Sequence, residues 1–217
     1  MALVGVITAS GLSMVFGSTR ALDALDVTVE PGVTGLVGAN GAGKTTFMSI
    51  VLGLRTPTTG AASVLGLDPL RQGAELRSLV GYGPERNLFP EDMPASDFVK
   101  HLAEVRGMPR SEARQRASDA LWLVGLGEER FRALGTMSTG QRQRVKLAQA
   151  IAADPRLVLL DEPTDGLDPV QRDEMLALIR QISDDYRIDV LLSSHLLEEV
   201  ERICDHVVAL DAGRLVA

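Results

Sequence analysis

The sequence contains, between residues 38 and 46, the stretch Gly38-Ala39-Asn40-Gly41-Ala42-Gly43-Lys44-Thr45-Thr46. This stretch fits the pattern G-x-x-x-x-G-K-[ST] of a phosphate-binding loop. Leu36 and Val37 before it predict the end of a strand, and the apolar residues of 47–52 after it predict a helix. Glycines let backbone N–H groups turn inward around an anion, and the start of the following helix adds partial positive charge. The stretch therefore predicts a phosphate site at a strand-to-helix turn.

Lys44 and Thr45 carry the side chains that such a loop needs for a nucleotide. A lysine ammonium neutralises the β- and γ-phosphates, and a threonine hydroxyl ligates Mg²⁺. The alternative is a glycine-rich turn that holds no ligand. We favour the phosphate site because the constrained positions of the pattern and both flanks are filled as the site requires.

An apolar run, Leu-Val-Leu-Leu at 157–160, ends in two adjacent carboxylates, Asp161 and Glu162. Unpaired charge at the end of a buried strand is costly, and a nearby Mg²⁺ would remove that cost. We predict that Asp161 holds the metal and that Glu162 polarises the attacking water. The alternative is a solvated strand end or an acid at the start of a helix.

Strands and helices are predicted to alternate along most of the chain, which is typical of an α/β fold with a parallel sheet. Runs such as 157–160 are apolar at every position, as expected of parallel strands that are covered on both faces. At the N-terminus we predict two short strands, the first at Leu3–Thr8, with a turn at Ser10 and Gly11. Residues 84–132 break the alternation and predict a helical subdomain inserted between core segments 1–83 and 133–217.

The composition restricts the functions that the chain can have. Lys and Arg number 22 against 29 Asp and Glu, the formal net charge is −7, and aromatic residues make up 4%. These values argue against a general nucleic-acid-binding protein, which needs a basic face.

The single cysteine, Cys204, excludes a disulfide framework and favours a reducing compartment. Residues 1–19 carry no charge but are too polar for a membrane span, so we expect any action at a membrane to need a partner.

A third motif, Met137-Ser138-Thr139-Gly140-Gln141, precedes a helix predicted to begin at Thr139. Ser138 and Gln141 have the spacing of a capping box, so the pentapeptide alone is also explained by a well-started helix. Together with the phosphate loop and the Asp-Glu strand, it makes the chain similar to the nucleotide-binding subunits of ABC transporters. That family has Leu-Ser-Gly-Gly-Gln between the other two motifs. This sequence departs from the family at Met137 and Thr139 and matches it at Ser138, Gly140 and Gln141.

The resemblance implies that part of this chain serves a second subunit. Ser138, Gly140 and Gln141 would cap the γ-phosphate of an ATP that the opposite subunit holds. Asp168, in Asp-Gly-Leu-Asp at 165–168, would reach toward the same partner. Asp168 followed by a proline is also an ordinary start of a helix, and the two roles can coexist.

Three further residues receive roles from the resemblance. His195 matches the switch histidine near the γ-phosphate. Phe16 lies where the family often has an aromatic residue that stacks on adenine, although a lone Phe in an apolar stretch is also typical of a core. Glu85 stands where the family commonly has a glutamine that contacts Mg²⁺ and communicates with the membrane partner. Some exporter subunits have a similar residue there, which favours export.

The resemblance, from about Leu3 to Val216, implies the function as a whole. The fold would be an α/β P-loop NTPase core with a parallel sheet, an N-terminal antiparallel β portion and the inserted helical subdomain. A homodimer or heterodimer of ATP-binding subunits would bind ATP and Mg²⁺ and hydrolyse ATP with Lys44, Glu162 and His195. The chain would lie peripherally on the cytoplasmic face of the cell membrane, bound to a transmembrane permease subunit, with no nucleic acid as partner.

Two other functions are compatible with the same motifs. One is a soluble ABC-type ATPase without a transport role. The other is a nucleotide-dependent module that no longer hydrolyses ATP, suggested by Thr139 and Glu85 and opposed by the intact Glu162 and His195.

Overall fold

The computed structural model describes residues 5–86 and 89–216, so the first residues of the predicted strand Leu3–Thr8 and small parts of the predicted core and helical units lie outside it. Strands and helices alternate over much of the chain. The strands are β1 (Ile7–Phe16), β2 (Thr19–Val29), β3 (Val33–Val37), β4 (Thr59–Val64), β5 (Val80–Gly83), β6 (Leu157–Asp161), β7 (Asp189–Ser194), β8 (His206–Asp211) and β9 (Arg214–Leu215). The helices are α1 (Lys44–Val51), α2 (Gly73–Leu79), α3 (Ala95–Val105), α4 (Arg110–Leu123), α5 (Thr139–Ile151), α6 (Pro169–Tyr186) and α7 (Leu197–Ile203).

A six-stranded sheet in the order β5-β6-β7-β3-β8-β9 forms the centre of the molecule. Its strands pair in parallel except for β9, which runs antiparallel to β8. In the register of this sheet Asp161 lies beside Ser193, and Ser194 lies beside Val37. The carboxyl ends of β3, β6 and β7 therefore meet at one edge, as Asp161 and the phosphate loop after Val37 require.

Each face of the parallel sheet is covered by its own apolar core, which explains why the strands are apolar at every position. Leu159 and Leu191 pack on one side, in a cluster with the N-terminal strands and α1. Leu160 and Leu192 point to the other side, into a cluster formed with α3, α4, α5 and α6. Neighbouring residues of β6 and β7 point to opposite faces because side chains along a strand alternate with a period of two residues.

The N-terminal strands form a separate antiparallel sheet in the order β2-β1-β4. Here the sequence prediction of a turn at Ser10 and Gly11 is wrong, because β1 continues from Ile7 to Phe16 through both residues. Gly11 adopts a left-handed φ of 55°, and the pairing of β1 with β2 shifts register between Ala9 and Leu12. The glycine thus produces a bulge inside a strand instead of ending it.

The chain between β5 and β6 is helical in the described residues. It contains α3, α4, two short 3₁₀ helices (Gly127–Phe131 and Leu134–Thr136) and α5. The segments that enter and leave α3 and α4 run side by side, since the N–H groups of Ala95, Leu134 and Gly135 donate to the carbonyls of Arg132, Met93 and Glu91. These bonds hold the chain before α3 beside the chain that precedes α5.

One helix, α2, is not predicted from the sequence. Its seven residues bury only Leu76 and therefore show no helical period of apolar residues. None of the helices in the ranges 5–86 and 89–216 is both long enough and apolar enough to cross a bilayer.

Phe47→Ala tests the packing of α1 beneath the phosphate loop. Phe47 is fully buried, so we expect its truncation to lower the free energy of unfolding in urea by about 3–5 kcal/mol. Phe131→Ala is the matched control, because Phe131 is 57% exposed and its ring lies 4.5 Å from the Arg130 guanidinium, a cation–π interaction worth about 1 kcal/mol or less. Equal losses in the two variants would contradict the packing described here.

Candidate functional site

The phosphate loop joins the end of β3 to the start of α1. Gly43, the residue before α1, has a φ of 107°, which a residue with a side chain rarely adopts. A Cβ at this position would also lie 2.6 Å from the carbonyl oxygen of Ala21, so only glycine fits there. Lys44 begins α1 with its side chain nearly buried, and its ammonium donates a hydrogen bond to the carbonyl of Gly38 (2.6 Å).

A cleft of about 460 Å³ opens above this loop. It brings together several residues that the sequence predicts separately, the phosphate loop, Phe16, Glu85 and Glu162. Phe16 is 40% exposed, and the Arg55 guanidinium lies 5.2 Å from the centre of its ring. The residues that line the cleft are Phe16, Thr19, Arg20, Ala21, Ala39, Asn40, Gly41, Gly43, Lys44, Thr45, Thr46, Glu85 and Glu162.

Ser193 holds the two carboxylate residues at the end of β6. Its hydroxyl donates to Asp161 Oδ1 (2.7 Å) and accepts from the backbone N–H of Glu162 (2.9 Å). Glu162 adopts a left-handed φ of 48°, which is strained for a residue with a side chain. Ser193 is not predicted from the sequence, because its position beside Asp161 follows from the pairing of β6 with β7.

Glu162 lies between a lysine and a histidine. One carboxylate oxygen is 3.4 Å from the Lys44 ammonium, and the other is 2.9 Å from Nδ1 of His195. Glu162 and Lys44 are largely buried, whereas the His195 side chain is 44% exposed. The three residues predicted to carry the chemistry are therefore in contact.

The residues at this edge fit a Mg²⁺ ion bound together with phosphate. Asp161 Oδ2 is buried and has no hydrogen-bond partner among the described residues, so a cation would satisfy it. Thr45 lines the neighbouring cleft, as does Glu85. No group of three or more His, Cys, Asp or Glu in the described ranges could hold a metal by itself. Mg²⁺ commonly uses one or two carboxylates with phosphate oxygens and water.

The third motif lies at the start of α5, and none of its residues lines the cleft as far as the structure is described. The Ser138 hydroxyl accepts from the Gln141 N–H, and the Gln141 side chain accepts from the Ser138 N–H, so the predicted capping box is confirmed. Asp168 likewise caps α6. Thr139, which replaces a family glycine, lies close to Gly166, where an added Cβ would be 3.1 Å from its methyl group.

Lys146 and Glu199 are two buried ionisable residues that sequence reasoning missed. Lys146, on α5, donates to the carbonyls of Pro84 and Glu85, and burial lowers its pKa to about 8 although nearby carboxylates oppose that shift. Glu199, on α7, accepts hydrogen bonds from the hydroxyls of Thr164 and Ser194. Neither belongs to a local motif, and only the tertiary structure assigns them partners.

Comparison with known proteins agrees with this geometry. The sequence model of the family described as ABC transporter matches residues 22–165. The chain belongs to the ABC transporter family. The fold of that family's ATPase cassettes is therefore the fold of this chain, as predicted: an α/β P-loop NTPase core with a parallel sheet and an antiparallel N-terminal sheet.

Individual ABC proteins are similar over almost the whole chain. The bacitracin transport ATP-binding protein BcrA of Bacillus licheniformis is 34% identical over 212 residues, which are 97% of this chain and 68% of BcrA. The methionine import ATP-binding protein MetN of Corynebacterium efficiens is 38% identical over 204 residues, 91% of this chain and 56% of MetN, so this chain spans little more than half of that relative. The structure of cbiO1 from Clostridium perfringens, part of the ABC transporter complex cbiONQ, has a TM-score of 0.86 at 27% identity and matches 98% of this chain and 87% of cbiO1.

Ser193→Ala tests how the carboxylates are held. The substitution leaves the buried N–H of Glu162 without its acceptor and removes a donor from Asp161, so we expect the free energy of unfolding to fall by about 1–3 kcal/mol in urea titrations. Ser111→Ala, at an exposed position in the first turn of α4, should leave it nearly unchanged. Wild-type stability in Ser193→Ala would show that the serine does not fix this edge.

Proposed function

We propose that this chain is the ATP-binding and ATP-hydrolysing subunit of a membrane transporter, working as a dimer of ATP-binding subunits. The observation that carries the proposal is the contact of Glu162 with both Lys44 and His195 at the mouth of the phosphate loop. The proposed phosphate-binding loop and Glu162, the proposed base that takes a proton from water, thus lie at one edge of the sheet. The names of BcrA and MetN, both ATP-binding proteins of transport systems, support the same function.

The cleft is suited to a nucleoside triphosphate with its base at one end and its phosphates at the other. Phe16 supplies an aromatic face for adenine, and the loop residues that line the cleft, 39–41 and 43–46, supply backbone N–H groups, the Lys44 ammonium and the Thr45 hydroxyl. Thr45 and Asp161, with Glu85 facing the same cleft, are the residues that would hold Mg²⁺. When bound, that ion would neutralise charge on the β- and γ-phosphates.

Lys44 connects nucleotide binding to the freeing of the Glu162 carboxylate, which is the proposed general base. In the present structure its ammonium is shared between the Gly38 carbonyl and Glu162. A γ-phosphate competes for the same ammonium, and its arrival would leave Glu162 paired with His195 alone. Glu162 could then accept a proton from a water that attacks the γ-phosphorus while the bond from that phosphorus to the β–γ bridging oxygen breaks. Lys44 and the loop N–H groups stabilise the negative charge in the transition state.

The second half of the proposed site comes from another subunit. Ser138, Gly140, Gln141 and Asp168 lie apart from the cleft of their own chain, as expected if they contact the nucleotide of a partner. ATP would then have higher affinity for the closed dimer than for the open one, and hydrolysis would reverse that preference.

The helical segment 84–132 is the part that we propose to contact the permease, with residues 1–83 and 133–217 as the core. Glu85, near its start, faces the cleft, and the hydrogen bonds of the Ala95, Leu134 and Gly135 N–H groups join the chain that enters α3 to the chain that follows α4. A position on the cytoplasmic face of the membrane follows from that partner.

Glu162→Gln tests the proposed reaction. The amide cannot accept the proton, so we expect phosphate release from Mg·ATP to fall by about 10²- to 10⁴-fold while ATP still binds. Because bound ATP is then not consumed, the variant should form a stable dimer with Mg·ATP in sedimentation experiments and remain monomeric with Mg·ADP.

Glu198→Gln is the matched control, because Glu198 is exposed in the first turn of α7 and lies outside the cleft. It should hydrolyse ATP at the wild-type rate. Undiminished turnover in Glu162→Gln would remove Glu162 from the catalytic role. A monomer saturated with ATP would exclude a homodimer.

A further inference from the structure

One face of α5 carries three polar side chains that donate to backbone carbonyls near the carboxyl ends of neighbouring strands. Gln143 donates to the carbonyl of Asp165 (2.9 Å), and Gln149 donates to that of Tyr82 (3.3 Å). Lys146 lies between them and donates to the carbonyls of Pro84 (2.9 Å) and Glu85 (3.0 Å). Residues three apart share a helix face, so the three donors form a single row.

Lys146 is an unusual residue for its place. It is only 3% exposed, and burial of an ammonium costs stability that an apolar side chain would not. Its two bonds go to backbone atoms of the segment after β5. A buried ion of this kind is better explained by a positional role than by a contribution to stability.

The helix that carries this row packs closely against β5. A Cβ on Gly81 would collide with the carbonyl oxygen of Ala150, and a Cβ on Gly83 would lie 3.6 Å from that of Lys146. The two glycines therefore bring the backbone of α5 directly against β5. Displacement of the segment after β5 would break the bonds of Lys146 unless α5 moved with it.

We propose that Lys146 is a positioning residue that couples the Glu85 segment, which faces the nucleotide of its own chain, to the Ser138–Gln141 end of α5, which faces the nucleotide of the partner. The inference rests on the proposed function, since the Glu85 segment and the Ser138–Gln141 end of α5 both contact nucleotide only in an ATP-bound dimer. Through Lys146, occupancy of one cleft sets the position of the groups that complete the other. Lys146 itself contacts no nucleotide.

Lys146→Met tests the coupling, because methionine keeps most of the length of the side chain and removes the ammonium. We expect kcat for ATP hydrolysis to fall about tenfold or more, while KM and the melting temperature stay near wild type, because the cleft itself is intact. We also expect the peptides that cover β5 and the Glu85 segment to exchange with deuterium several-fold faster in the full chain. Lys146→Gln, which can donate to one carbonyl, should be intermediate in both measurements.

Lys100→Met is the control, since Lys100 lies on α3 and pairs with Asp97 in a partly exposed ion pair. It should match wild type in turnover and in exchange at Glu85. The proposal is overturned if Lys146→Met keeps wild-type kcat, if exchange at Glu85 is unchanged, or if kcat, KM and melting temperature all worsen together in both Lys146 variants. If the wild-type chain does not hydrolyse ATP, the proposed function fails, and the exchange comparison still reports on the link between Lys146 and the Glu85 segment.

Discussion

The parallel pairing of β3, β7 and β6 is the constraint on which the site depends. Parallel strands end at the same edge of a sheet, so the loop after β3 and the carboxylates after β6 lie on either side of β7. Ser193 then fixes both Asp161 and Glu162 from the middle strand. Lys44 reaches Glu162 across this edge, at 3.4 Å, although the two are far apart in the sequence. The chemistry of the cleft therefore follows from the order of the strands.

The same arrangement separates the predicted functional motifs of a single chain into two groups with different surroundings. The loop, Phe16, Glu85 and Glu162 face a common cleft, whereas the Ser138 end of α5 lies away from it. A two-chain site gives both groups a nucleotide to contact. In the proposed dimer, the buried contacts of α5 with the Asp165 and Glu85 segments would be the physical route between the two nucleotides.

Local patterns, together with the family resemblance, predicted the fold and most of the residues that line the cleft, and tertiary pairing supplied the rest. The strand Leu157–Asp161, the capping box at Ser138 and the helix start at Asp168 are confirmed, because each is encoded within a few neighbouring residues. Gly11 misled the prediction because glycine allows a bulge as readily as a turn, and only the pairing of β1 distinguishes the two. Ser193 and Lys146 could not be found from sequence, since their partners belong to distant segments.

Calorimetric titration of the purified chain with ATP, with and without Mg²⁺, tests most directly whether the loop and the carboxylates form one site. A single site of this kind predicts one ATP bound per chain and an affinity that Mg²⁺ increases. It also predicts that Asp161→Asn binds ATP but loses the increase, because Asp161 Oδ2 is the buried oxygen that would bind the metal. The absence of ATP binding in the wild type, or the same Mg²⁺ dependence in Asp161→Asn, would contradict it.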